Sequence, residues 1–247
     1  MRQFRRWLGF LTGAVFALTA AEALADPLGR TEDLAAEVRV TLNDQAEYIY
    51  DYAYPQVDPQ DPSAELINSF YRYLADDAVG FEIPMNADYY RGQGVQEDVR
   101  VEIRYQITCN NDDFFGVLIH TTQGEFESWA GHTFSRKNLK PGSSVALPYL
   151  LGLLDSGEND TWLENRQTAK ADALVRGMVW DRLNEQEDLA LREDLEEESL
   201  DFGFFPEEDF YLDESGNPVF YLQPGFAEDS TRLITFPISL EEILDEM

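Results

Sequence analysis

His120, His132 and Cys109 are the only imidazole and thiol groups in the chain. Zinc sites take their ligands in pairs a few residues apart; these three stand singly, so no metal centre is expected from them. A lone cysteine excludes an intrachain disulfide, and Cys109, where an extended segment gives way to a turn, is expected to be a buried inert thiol. Nucleophilic catalysis finds no G-x-S-x-G turn. The 48 acidic residues offer many carboxylates. Glycoside hydrolysis needs one pair held about 5–10 Å apart, and spacing along the chain selects none. Asp213-Glu214-Ser215-Gly216-Asn217 lacks the alternating oxygen ligands and downstream Glu of a calcium loop. Gly92 and Gly94, in RGQGVQ, neither follow an evident strand nor open a clear helix, so no nucleotide site is read there. No catalytic residue, cofactor or metal is assigned, and a binding protein rather than an enzyme is the expectation.

What remains are aromatics beside turn-forming residues. Trp129 precedes Gly131-His132, and Phe226 follows Gln223-Pro224-Gly225. Aromatics presented by loops can anchor an interface; they can equally plug the open end of a sheet.

The elements that carry these residues are read from periodicity. Asp98 to Thr108 puts Val99, Val101, Ile103, Tyr105 and Ile107 on one face and Arg100, Glu102, Arg104, Gln106 and Thr108 on the other. That alternation predicts a half-buried antiparallel strand. Asn110 to Asp113 turns the chain into strands over Phe114–Thr122 and Phe126–Arg136, around Gly124. Upstream, Val38 to Tyr54 is extended and broken by a hairpin turn at Asn43-Asp44-Gln45. Asp61 caps a helix with Pro62 at its first position. Leu66, Ile67, Phe70, Tyr71 and Leu74 then recur at helical spacing, to about Ala78. Downstream, Pro141-Gly142 is a turn and Val145 to Leu154 leads into a helical region. Trp162–Gly177 and Met178–Leu200 read as two helices, the second with a stripe of Leu183, Leu189, Leu191 and Leu195 and a solvated acidic face. Phe210–Leu212 and Val219–Leu222 flank a turn at Gly216; Leu233 to Ile238 alternates again. Ser239 and Glu242 form a capping box that opens a last short helix. Interspersed helices and turn-linked strands predict an α+β fold, an antiparallel β-sheet with helices packed on it.

Arg2, Arg5 and Arg6, the apolar run Trp7–Ala21, and Ala23 and Ala25 before Asp26 have the pattern of a cleavable export signal. The run is too short and Ala-rich for a convincing membrane span. The expectation is a signal peptide over residues 1–25 and a single α+β domain over 26–247, with possible subregions 26–95 and 96–247. The protein would be periplasmic or extracellular, with no stable membrane insertion after cleavage. The whole chain has 18 basic and 48 acidic residues and a net charge of −30. Losing the leader removes three arginines and one glutamate, so the balance becomes more negative. With 13% aromatic residues, this charge does not signify disorder. Such a field repels nucleic acid and speeds encounter with cationic partners.

Several phrases, in order, resemble the RsiV-like family, the extracellular part of lysozyme-binding anti-sigma factors. Tyr54-Pro55-Gln56-Val57 and Leu66-Ile67-Asn68 are similar to its opening strand and helix. Ala130-Gly131-His132-Thr133-Phe134 is similar to its loop rich in Gly, Ala and His, with the order changed to Ala-Gly-His. Leu139 to Pro148 is similar to its "linear–Gly–Leu" phrase. Asp209 to Ile243 is similar to its closing sheet and helix, with Gln223-Pro224-Gly225-Phe226 where the family has a Pro-Tyr pair and Asp229-Ser230-Thr231 where a later Tyr stands. These domains also occur beside polysaccharide deacetylases and alone in exported proteins, and the stand-alone exported form is the expectation.

The resemblance implies an exported acidic module of the cell envelope that captures a cationic protein, lysozyme being the leading candidate. It implies partner contacts from Trp129, His132 and Phe134 and from Gln223, Pro224 and Phe226. An envelope glycan-binding or glycan-processing protein, using carboxylates and Trp129, is the alternative.

Overall fold

The computed structural model describes residues 31–137, 140–153, 161–186, 195–226 and 233–247. The leader, Leu139, Leu154, Leu189, Leu191 and Asp229-Ser230-Thr231 lie outside these residues. Among the described residues no helix is long and apolar enough to cross a membrane.

The fold is α+β, with a five-stranded and a three-stranded sheet. β1 (Leu34–Thr41) and β2 (Glu47–Tyr54) form the expected hairpin. Its turn is held by Asn43 Oδ1, which accepts from the backbone N–H groups of Gln45 and Ala46. In β2, alternation sends Tyr48, Tyr50, Tyr52 and Tyr54 to one face, and all four are buried. The chain then crosses that face as a helix. α1 (Ala64–Asp77) follows a turn in which Asp61 Oδ1 accepts from the Ser63 N–H, and it continues past Ala78. A π-helical turn (Ala78–Glu82) joins it directly to α2 (Ile83–Gln93). Gly80 and Pro84 obscure this continuation in the sequence. Pro84 has no N–H and clashes with the α-helical carbonyl four residues back; the wider π turn lets the helix pass it.

This crossover makes one strand pair parallel. β3 (Val99–Asn110) pairs parallel with β2, whereas all other pairs are antiparallel. The first sheet is therefore mixed, not antiparallel throughout as the short turns predicted; a long helical connection returns the next strand in the same direction. β4 (Phe114–Gln123) and β5 (Phe126–Ser135) complete the order β1-β2-β3-β4-β5. The first core lies between this sheet and the helix. It includes the four β2 tyrosines, Ile67, Tyr71, Val101, Ile103, Phe115, Val117 and Phe134.

A second core lies against the other side of β3–β5. After the short helix α3 (Leu147–Leu150), α4 runs unbroken over Thr161–Asn184. The break expected at Gly177 is absent. A helical glycine costs only about 1 kcal/mol relative to alanine, and Ala171, Val175, Val179 and Leu183, all fully buried, hold both halves of the helix. A 3₁₀ turn (Glu197–Ser199) and α5 (Leu200–Gly203) lead into the second sheet, β6 (Phe210–Leu212), β7 (Pro218–Leu222) and β8 (Ile234–Pro237). α6 (Leu240–Glu246) opens with the expected capping box: Ser239 Oγ accepts from the Glu242 N–H at 3.2 Å, and Glu242 accepts from the Ser239 N–H at 2.7 Å. Cys109, Leu147, Leu212, Phe220, Leu222 and Phe236 belong to this core.

Candidate functional site

Trp129, His132 and Phe134 lie on β5, the edge strand of the first sheet, and Gln223 reaches it. An edge strand leaves a row of backbone donors and acceptors unpaired. Here Tyr221 of β7 and Gln223 just beyond it take them up. Gln223 acts as a two-point clip: Trp129 N–H donates to its Oε1 at 3.0 Å, and its Nε2 donates to the Trp129 carbonyl at 2.6 Å. Gly131 N–H donates to the Tyr221 hydroxyl at 2.9 Å. Further along, Val145 N–H donates to the Thr133 carbonyl at 2.9 Å. Gly131 is required at this seam, because a Cβ there would overlap the Phe210 carbonyl of β6. The Ala-Gly-His phrase is thus a strand segment over which the second sheet crosses, and its glycine answers to close backbone approach.

The six residues divide between surfaces. Trp129 and Gln223 meet at the seam. The half-buried indole of Trp129 stacks on His120, with ring centroids 4.4 Å apart and planes 13° from parallel. Nε2 of His120 lies 3.1 Å from Glu127. His132 and Phe134 point from the opposite face of β5 into the first core. His132 packs edge-on to Phe70, and its Nδ1 shares a hydrogen bond with the Tyr71 hydroxyl at 3.3 Å. Burial lowers its pKa to about 4, so it is neutral at pH 7. Phe134 is 1% exposed among Phe70, Tyr71 and Phe115, and offers no surface to a partner. Pro224 is half-buried. Phe226 packs its ring flush over Gly203 as a lid on the second core.

Cys109 is fully buried, and desolvation raises its thiol to about 11, so it is held as the neutral thiol. No group of three or more His, Cys, Asp or Glu among the described residues is placed to hold a metal ion. One titratable pair was not legible in the sequence. Asp172 of α4 is 7% exposed beside Glu207, and Asp172 Oδ1 and Glu207 Oε2 are both buried without a hydrogen-bond partner. Desolvation, reinforced by the Glu207 charge, raises Asp172 to about 7. Its partner comes from the loop ahead of β6, 35 positions along the chain, and no local spacing announces such a meeting. Asp209 at the seam is raised too, chiefly by desolvation, while the Phe205 N–H and Gln223 oppose the rise.

Neither a protein-family model nor a curated protein matches the chain. Solved structures do align with it, among them two of the DUF3298 family. One is a DUF3298 family member from Bacteroides fragilis, 11% identical, with a TM-score of 0.45 over 90% of this chain and 94% of that chain. The other is a DUF3298 family protein from Pseudomonas aeruginosa, 13% identical, with a TM-score of 0.48 over 88% of this chain and 93% of that chain.

Proposed function

We propose that this protein is an exported, acidic RsiV-like module of the cell envelope that captures a cationic protein, lysozyme being the leading candidate. The observation that carries the reading is the charge: a net −30 on a chain with extensive aromatic cores. A field of that size concentrates and orients a basic partner before contact. The seam supports it in a second way. It supplies a rigid frame in which Trp129, Pro224 and Phe226 keep part of their surface open, and these are the contacts the reading retains. The His120–Trp129 stack beside Glu127 favours the second reading, an envelope glycan bound against an aromatic and a carboxylate.

Calorimetry against a c-type lysozyme, at low and physiological salt with cytochrome c as a basic control, tests the first reading. Saturable one-to-one binding to lysozyme alone, surviving physiological salt, is expected. No binding, or equal binding to both proteins, overturns it, since uniform attraction that salt removes is ion exchange.

A further inference from the structure

The outer face of the helix formed by α1, the π turn and α2 carries large apolar side chains that stay exposed, Tyr89 alone packing edge-on against a neighbouring ring, that of Tyr90. Tyr73 is 68% exposed, Phe81 63%, Met85 52% and Tyr89 59%, with Val79 beside them at 46%. Tyr73, Phe81, Met85 and Tyr89 stand at multiples of four residues. In an uninterrupted α-helix each step of four advances ~40° around the axis, so Tyr89 would lie ~160° from Tyr73. The π turn inserts one residue and rotates everything after it back by about 100°. The buried side shows the same insertion: Ala75, Ala78, Ile83 and Ala87 are separated by three, five and four positions. The π turn therefore brings the four exposed side chains into one stripe while keeping the inner face on the tyrosine core. Glu82, within that turn, accepts a hydrogen bond from the Tyr50 hydroxyl at 3.2 Å.

The charge around the stripe selects its occupant. Asp76, Asp77 and Asp88 are exposed beside it, and Arg72, next to Tyr73, is exposed as well. Residues 64–93 hold five acids against two arginines. Arg91 is committed to Asp88 at 2.5 Å and to the Thr41 carbonyl at 3.0 Å. A second copy of this chain would bring carboxylates against carboxylates, and an anionic lipid surface would be repelled. Apolar rings bordered by carboxylates complement a surface of the opposite pattern, an apolar patch bordered by lysine and arginine.

We infer that the Tyr73–Phe81–Met85–Tyr89 stripe, aligned by the π turn and flanked by Asp76 and Asp77, is a docking surface for a cationic protein with an apolar patch. The inference rests on the proposed capture of a cationic protein, and it moves the main contact from the seam to the helix.

The test uses the purified protein with two probes: lysozyme, and an amphipathic Lys/Leu helical peptide compared with oligo-lysine of equal charge. The double variant Phe81→Ser/Met85→Ser is expected to weaken binding of both lysozyme and the Lys/Leu peptide at least tenfold. Phe202→Ser, which removes an aromatic that is 86% exposed, is expected to leave both unchanged. Lys/Leu peptide binding that exceeds oligo-lysine binding and is lost in the double variant supports the surface, even if lysozyme does not bind and the proposed partner fails. Lysozyme binding untouched by the double variant overturns the surface and leaves the proposed partner standing. No preference for the Lys/Leu peptide over oligo-lysine, a wild-type dimer in sedimentation that the double variant abolishes, or binding to anionic vesicles each overturns it as well.

Discussion

The seam along β5 and the outer face of the long helix treat their aromatic and polar groups in opposite ways. At the seam Trp129 has both backbone groups clipped by Gln223 and its ring covered by His120. On the helix, Tyr73 and Phe81 are more than 60% exposed. The seam residues draw attention in the sequence because Trp, Gly and His stand together; the structure spends them on joining two sheets. The helix residues look ordinary in the sequence, and the structure leaves them exposed. A residue's type is therefore a weak guide to availability, and its commitments within the fold decide the matter.

If the seam is a structural joint, breaking it must cost stability. Gly131→Ala places a methyl group into the Phe210 carbonyl. Urea denaturation is expected to show a loss of roughly 3 kcal/mol or more, or no folded protein at all. A Gly131→Ala protein as stable as wild type would remove the seam from the account. Gln223→Ala orphans the Trp129 N–H and leaves the Trp129 carbonyl only the longer 3.5 Å donation from the Tyr221 hydroxyl. Its expected cost is about 1–3 kcal/mol in the same assay.

The second core offers a stabilising change with a pH signature. Asp172 has its folded pKa raised to about 7 from 3.8, so the folded state keeps a proton that the unfolded state releases. Its contribution is fully present below pH ~4 and is lost as pH rises toward 7. Asp172→Asn, which lets a neutral amide donate to Glu207, is expected to stabilise the protein by roughly 1–3 kcal/mol at pH 8, with the gain shrinking by pH 5. A gain independent of pH would contradict the assigned proton. The smallest effect belongs to the helix face. Phe81→Ser and Met85→Ser are expected to change unfolding free energy by no more than about 0.5 kcal/mol each, since neither side chain supports a core.

Much of the fold was legible. The hairpin about Asn43, the three strands from Val99 to Ser135, the Gly216 turn and the Ser239–Glu242 capping box all follow from local pattern and turn chemistry. The misses share a cause, which is that tertiary packing overrode a local signal. The helical spacing from Leu66 to Leu74 predicts a helix only to about Ala78, whereas the tyrosine core carries it through to Gln93, and that connection made β2 and β3 parallel. Gly177 suggested a break that four buried residues of α4 prevent. The resemblance implies a loop over Ala130 to Phe134, whereas this phrase lies inside the strand that the sequence pattern predicts, and its glycine answers to Phe210, far away in sequence. Which aromatics remain exposed depends on the rotation set by one π turn, and composition carries no record of that.

The helix face, rather than the seam, is the proposed main contact for a cationic partner. Met85 lies in the stripe, half-exposed, while Met178 packs against the second core. Lysozyme titrated into protein labelled at the methionine methyl groups, followed by NMR, is the direct test. The account predicts that the Met85 methyl resonance shifts to saturation with the calorimetric stoichiometry while Met178 stays in place. An unmoved Met85 signal at saturation, with the Trp129 indole shifting instead, would contradict it.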